Sequence, residues 1–167
     1  MLGALVGNKS NIKLVKVKGI EGKFLATGCN EVVNLTNLRT GEVEYQIYDR
    51  EAVHGEVTCL AASSTLLAIG YSDGAVLVFD LGELNQSPTQ MLVSPFEQVH
   101  CFEFHKSAVT AMIFSDENTQ LVSGSTDTYI VLYDLVTSTA EYKLMGHTEP
   151  ITQLQTLVTR HPTRGTP

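Results

Sequence analysis

Apolar and polar residues alternate at a period of two through most of the chain, and the alternating runs come in threes. Across residues 105–134, Val109, Ala111 and Ile113 form one run, Leu121-Val122 a second, and Ile130 and Leu132 a third. Ser115-Asp116-Glu117-Asn118 separates the first two, and Gly124-Ser125-Thr126-Asp127-Thr128 separates the last two. Period-two runs bounded by such turn-forming clusters predict consecutive antiparallel strands. One three-stranded meander cannot bury both its faces, so the pattern calls for copies of itself stacked alongside.

The copies are present. Residues 54–81 repeat the order: His54 matches His105, Val57-Thr58 matches Val109-Thr110, Gly70 matches Gly124, Asp73 matches Asp127, and Phe79-Asp80 matches Tyr133-Asp134. A further copy opens at Gly146-His147 with Ile151-Thr152 in place, then fades after Gln155. Upstream, residues 23–41 read as the second half of an earlier copy, with Asn30 at the turn Asp and Thr36-Asn37 at the aromatic-Asp pair. The offsets are 51 residues (His54 to His105), 42 (His105 to His147) and 43 (Asn30 to Asp73). The longest is explained by an insertion at 82–98, rich in Asn, Gln, Ser and Pro, in which Met91-Leu92-Val93 suits a brief strand.

Taken in order, strands are expected around Leu5-Val6, then at 12–17, 23–27, 32–35, 43–48, 57–62, 66–70, 75–79, 99–104 and 140–144, besides the three runs of the central unit. Lys16 and Lys18 alternate with Val15 and Val17, one face wet and the other dry. Ser72-Asp73-Gly74 is a tight connection in which Gly74 supplies a positive φ.

At these residues the chain resembles the WD40 repeat family, whose 40–45-residue copies run from Gly-His through Ser-Gly-Ser and an Asp turn to Trp-Asp. The resemblance implies an all-β fold: a partial β-propeller of about three four-stranded antiparallel blades, its ring not closed. Residues 1–50 are then a degenerate first blade, 51–104 a second with the insertion, 105–145 a third, 146–155 the start of another, and 156–167 an irregular tail. A propeller closes with about four to eight blades, so the chain is expected to be a fragment. The resemblance also implies a buried hydrogen-bonded chain in each blade, built from a loop His, a strand Ser or Thr, the turn Asp and the Trp. Here these are His105, Ser123, Asp127 and Tyr133. In the preceding copy Ile69 and Phe79 replace two members, leaving His54 and Asp73. No Trp occurs anywhere.

Composition narrows the function. The formal net charge is −7, but it is uneven. Lys9, Lys13, Lys16, Lys18 and Lys23 crowd the start, whereas residues 24–149 hold Arg39, Arg50, Lys106 and Lys143 against 17 of the 18 acids. Such a body repels phosphate and favours protein partners over naked nucleic acid. The Lys-rich start reads either as an RNA contact or as a solvated edge protected by lysines. Cys29, Cys59 and Cys101 are scattered with no CxxC, which suits a reducing compartment. No run reaches the ~18 apolar residues of a membrane helix, and no signal peptide is evident, so cytoplasm or nucleus is expected.

Ser123, His105 and Asp127 are the residue types of a hydrolytic triad. Ser123 falls inside a strand, however, and its counterpart is Ile69, so a structural chain is the expectation and no catalytic residue is assigned. His100, Cys101 and His105 are metal-ligand types, but strand neighbours point to opposite faces and no fourth ligand is apparent. No phosphate-binding glycine loop is present. No metal, cofactor, small-molecule substrate or membrane contact is expected.

Within the family, the strings at 22–26, 38–42, 57–60, 67–74, 123–128 and 146–152 are similar in order and spacing to the amino-terminal propeller of a WD-repeat subunit of the nucleolar small-subunit processome. That resemblance implies a non-catalytic scaffold supporting pre-rRNA processing and small-subunit biogenesis. Its implied partners are other WD-repeat and helical subunits of a ribonucleoprotein assembly, with RNA contact indirect or through the Lys-rich start. The alternative is a WD40 adaptor of another complex, a ubiquitin ligase receptor or trafficking scaffold.

Overall fold

In the computed structural model, which describes residues 11–49, 52–82, 96–115 and 117–157, the regular structure is entirely β. The first sheet is β1 (Ile12–Val15), β2 (Phe24–Cys29), β3 (Val32–Asn37) and β4 (Val43–Ile47). The second is β5 (Val57–Ala62), β6 (Leu66–Tyr71), β7 (Val76–Asp80) and β8 (Glu97–Phe102). The third is β9 (Val109–Phe114), β10 (Gln120–Ser125), β11 (Ile130–Asp134) and β12 (Thr139–Leu144). Each is an antiparallel meander whose strands lie in chain order, so the expected three four-stranded blades are present. No closed sheet forms among the described residues. The expected strands at Leu5-Val6 and Met91-Leu92-Val93, and residues 158–167 of the tail, lie outside the described residues.

The blades stack face to face through two apolar layers. Phe24, Ala26, Val33, Leu35 and Ile47 of the first meet Leu60, Leu67, Ile69, Leu77 and Phe79 of the second. The other face of the second, with Cys59, Ala61, Ala68, Val76 and Val78, meets Met112, Phe114, Leu121, Val131 and Tyr133 of the third. The middle blade is therefore apolar on both faces, which is why residues 57–62 and 66–71 read as nearly continuous hydrophobic runs. Burying one such Leu or Val is worth about 1.5–3 kcal/mol. The far face of the third blade carries Ile113, Val122, Leu132 and Tyr142 in register across its four strands.

Each blade is bulged at the same place. The pairing of third and fourth strands slips after Leu35, Val78 and Leu132, the residue before the aromatic position or its counterpart. A bulge adds twist, which turns the outer strand away from the stack. β8 begins at Glu97 and ends at Phe102, two residues earlier at each end than expected, because its pairing runs the length of β7, from Asp80 with Glu97 to Val76 with Phe102. Phe96, just before it, is buried against Tyr45, with ring centroids 5.5 Å apart.

A second bulge joins the blades. Val57 pairs with Tyr71 and Cys59 with Gly70, leaving Thr58 as the extra residue; Thr110 is extra in the same way between Val109 and Ala111. Each freed hydroxyl reaches two carbonyls: Thr58 Oγ1 is 3.1 Å from Gly70 O and 2.6 Å from Val109 O. Thr110 Oγ1 bonds Gly124 O at 3.1 Å and also Ile151 O. Val109 and Ile151 thus occupy equivalent seats, at the matching place of successive repeats. The first joint differs: the Asn11 amide donates to Leu60 O and accepts from Leu60 N, and Val57 N donates to Asn30 O.

The hairpin turns test the repeat at one more place. Gly74 has φ +99, as expected for its turn, but its counterpart Thr128 has φ +72. A β-branched residue is strained there. Thr128→Gly is expected to stabilise the chain by about 1 kcal/mol, read as a rise of a few degrees in the thermal midpoint.

Candidate functional site

The loop entering each of the last two blades places a histidine over that blade's turn aspartate. In the third blade His105 Nδ1 lies 3.1–3.2 Å from both oxygens of Asp127, Nε2 lies 2.7 Å from Ser123 Oγ, and Ser123 Oγ lies 3.1 Å from Tyr133 Oη. All four expected members therefore lie in one chain, with Ser123 and Tyr133 wholly buried. Asp127 also accepts from the backbone N–H groups of Lys106 and Tyr129, so it ties the entry loop to the turn. Phe102 stacks on Tyr133 at 4.4 Å, closing the aromatic end.

In the second blade His54 Nδ1 lies 2.9 Å from Asp73 Oδ2, the pair expected from sequence. Ile69 and Phe79 do not join it. Instead Nε2 lies 3.0 Å from Asp49 Oδ2, a partner from the linker between blades. Asp49 stands five residues before His54 and has no repeated counterpart, so spacing offered no signal for it. Asn30, at the turn position of the first blade, has φ +53 and contributes its carbonyl to Val57 rather than a side chain to a histidine.

The second partner reverses the electrostatics. Burial pushes the His105 imidazole down, the Asp127 carboxylate only partly offsets this, and Lys143 adds to the fall, so the group titrates below its ordinary value. Burial also pushes His54 down, but hydrogen bonds to Asp73 and Asp49 outweigh it and its value is raised. Asp73 and Asp127 are both held low by their backbone N–H and histidine partners despite burial. The Tyr133 phenol is pushed up to about 12 by burial, opposed in part by Ser123, so it stays protonated.

Opposite pH responses follow. The shift at His54 adds stability that is present below its unfolded value near pH ~6.5 and lost as pH rises through its raised folded value. The shift at His105 adds stability present above that pH and lost as pH falls through its lowered folded value. Thermal melts between pH ~5.5 and ~7.5 are expected to show a smaller loss on acidification in His105→Gln than in the native chain, and a larger loss in His54→Gln.

The Asp127-His105-Ser123 order has the connectivity of a hydrolytic triad, but the serine hydroxyl is enclosed and faces Tyr133 on its other side. A nucleophile needs substrate at that oxygen. Ser123→Ala is expected to cost about 1–3 kcal/mol in a denaturant melt, because His105 Nε2 is left buried without its partner. His100 and Cys101 part to opposite faces as expected, His100 stacking on Phe102 and bonding Ser138 Oγ at 3.0 Å. Among the described residues no group of three His, Cys, Asp or Glu side chains is placed to hold a metal.

Similarity to known proteins follows the same architecture. The family described as the Vps8 beta-propeller matches residues 31–162. Human WD repeat-containing protein 3 is 35% identical over 83 residues, 48% of this chain and 8% of that protein. U3 small nucleolar RNA-associated protein 12 of Saccharomyces cerevisiae is 35% identical over 112 residues, 60% of this chain and 11% of that protein. The chain thus spans a small part of the length of the curated relatives it matches. Among solved structures, the RRP9 WD40 repeats share the fold, with TM-score 0.62 and 18% identity over 85% of this chain and 44% of that one. The computationally designed Ika4 protein gives TM-score 0.65 and 26% identity over 95% of this chain and 87% of that one.

Proposed function

The chain belongs to the Vps8 beta-propeller family of WD40-type propellers, and from that premise we propose that it serves as a non-catalytic scaffold of the nucleolar small-subunit processome, supporting pre-rRNA processing. The observation that carries this reading is the likeness to WD repeat-containing protein 3 and to U3 small nucleolar RNA-associated protein 12, the latter named for a small nucleolar RNA. The acidic body and the apolar far face of the third blade suit docking to protein subunits, with RNA contact indirect or through the lysines at the start. The three blades are read as residues 1–50, 51–104 and 105–145, and His54, Asp73, His105, Ser123, Asp127 and Tyr133 as structural rather than catalytic groups.

The second reading is a WD40 adaptor of another complex, a ubiquitin ligase receptor or trafficking scaffold, which the same propeller fold would serve equally. Tagging the full-length protein in cells separates the two. Concentration in the nucleolus with co-purifying processome subunits supports the first, and a diffuse cytoplasmic signal without them supports the second.

A further inference from the structure

The segment that follows the third blade is held by one residue. Among the described residues from Glu141 onward only Ile151 is buried, and 141–150 are all exposed. The Ile151 side chain fills the notch at Gly124, its N–H donates to Ser125 O at 3.2 Å, and its carbonyl accepts from Thr110 Oγ1. The loop leading to it lacks the lock of its predecessors. His54 and His105 are fastened to Asp73 and Asp127, but the matching His147 is exposed and no aspartate follows Asp134 in this chain. Gly146 beside it has φ +142 with open space where a Cβ would stand, so the loop turns at a hinge-permissive residue. Around the seat, the third blade stays partly uncovered. Its far face carries Ile113, Val122, Ile130, Leu132, Tyr142 and Leu144 in two rows, with Tyr142 64% and Leu144 56% exposed, and Met145, next in line, 74% exposed. The same rows on the second blade, Ala68 with Val78 and Gly70 with Val76, are buried beneath the third.

We infer that two copies of the chain exchange this segment, each seating its Ile151 in the other's Gly124 notch while the two far faces pack together. The seat is the same whichever copy fills it, since notch, Ser125 carbonyl and Thr110 hydroxyl do not change. Residues 145–150 link β12 to Ile151. Extended, that link reaches roughly 20 Å, about twice the ~10 Å between packed sheets, so it crosses without disturbing the blade. A lone chain keeps its own tail through local concentration alone. Exchange adds the burial of Tyr142, Leu144 and Met145 against their counterparts, which turns the balance toward the pair. A head-to-tail pair fits less well, because the outward face of the first blade presents Asn34, Thr36 and Gln46 in register, not aliphatic side chains. The exchange goes beyond the processome reading and stands or falls apart from it.

Over concentrations from about 1 to 300 μM, sedimentation velocity of the full chain is expected to show a monomer–dimer equilibrium with a midpoint on the order of tens of micromolar, as suits a contact at the small end of protein interfaces. Ile151→Asp, in the tail, and Gly124→Val, whose added carbon meets Ile151, are each expected to stay folded by circular dichroism and to run as monomers. Mixed together they are expected to associate, because the Ile151 of the second fits the Gly124 of the first. In native chain mixed half labelled and half unlabelled, isotope-filtered Overhauser spectra should place the Ile151 methyls of one copy on the Gly124 α protons of the other. A native chain that stays monomeric over the whole range would overturn the inference and leave the far face to another subunit. A mixture of the two variants that fails to associate would overturn it too. So would dimers that persist in both variants without a cross-peak between copies, since that is packing without exchange.

Discussion

Gly70→Val is expected to pry the second blade from the third, lowering stability by about 3 kcal/mol and the thermal midpoint by roughly 6–12 °C. A Cβ at Gly70 would stand 2.8 Å from Cys59 Sγ and 2.9 Å from the Cβ and Cγ1 of Val109. Those neighbours are not free ends of flexible chains. Val109 is fixed by the Thr58 hydroxyl that bonds its carbonyl, and Cys59 sits in the interblade layer. The same notch recurs one repeat on, where a Cβ at Gly124 would meet Ile151. Gly82→Ala is the matched control, because its added methyl meets the Asp80 side chain, and it is expected to cost less than about 1 kcal/mol. Amide exchange locates the damage: β9 and β10 should lose protection in Gly70→Val while β1 to β4 keep theirs.

The second large effect belongs to the turn aspartate of the third blade. Asp127→Ala removes at once the acceptors for His105 Nδ1, Lys106 N and Tyr129 N. Hydrogen bonds to a charged group contribute more than neutral ones, and donors left buried cost their full desolvation. A loss of roughly 3 kcal/mol is expected in urea melts, against about half that for Asp73→Ala. The ordering comes from the partners: Asp49 still holds His54 when Asp73 is gone, and the Asp73 side chain is 41% exposed whereas that of Asp127 is 7% exposed. A greater loss at Asp73 than at Asp127 would show that the entry-loop histidines are not anchored as described.

Most of the strand framework was legible because burial imposes a period of two. Val57, Val109 and Ile151 stand at the matching place of successive repeats with Thr next in line, and that recurrence set the copies against one another. His105, Ser123, Asp127 and Tyr133 were legible for a different reason, since the resemblance to the WD40 repeat family implies a hydrogen-bonded chain at those positions. What recurrence cannot reveal is a contact made once. Asp49 beneath His54, Asn11 on the Leu60 backbone and Phe96 against Tyr45 join parts of the chain with no counterpart in the other copies. The thresholds of β8 were misread by two residues because Val99 and Phe104 look like strand residues, while ladder pairing with β7 decides the ends. The reach of Thr58 and Thr110 across the seam also escaped, because a bulge is a matter of register and both partner strands are needed to see it.

The seating of the following repeat on the second and third blades, each time through one residue in a glycine notch, is tested most directly by methyl nuclear Overhauser spectra of the native chain. Cross-peaks from the Val109 methyls to the Gly70 α protons, together with cross-peaks from the Ile151 methyls to the Gly124 α protons, are the expected result. Within-blade cross-peaks between β5 and β6 without either of those two sets would mean that the sheets form but do not stack this way.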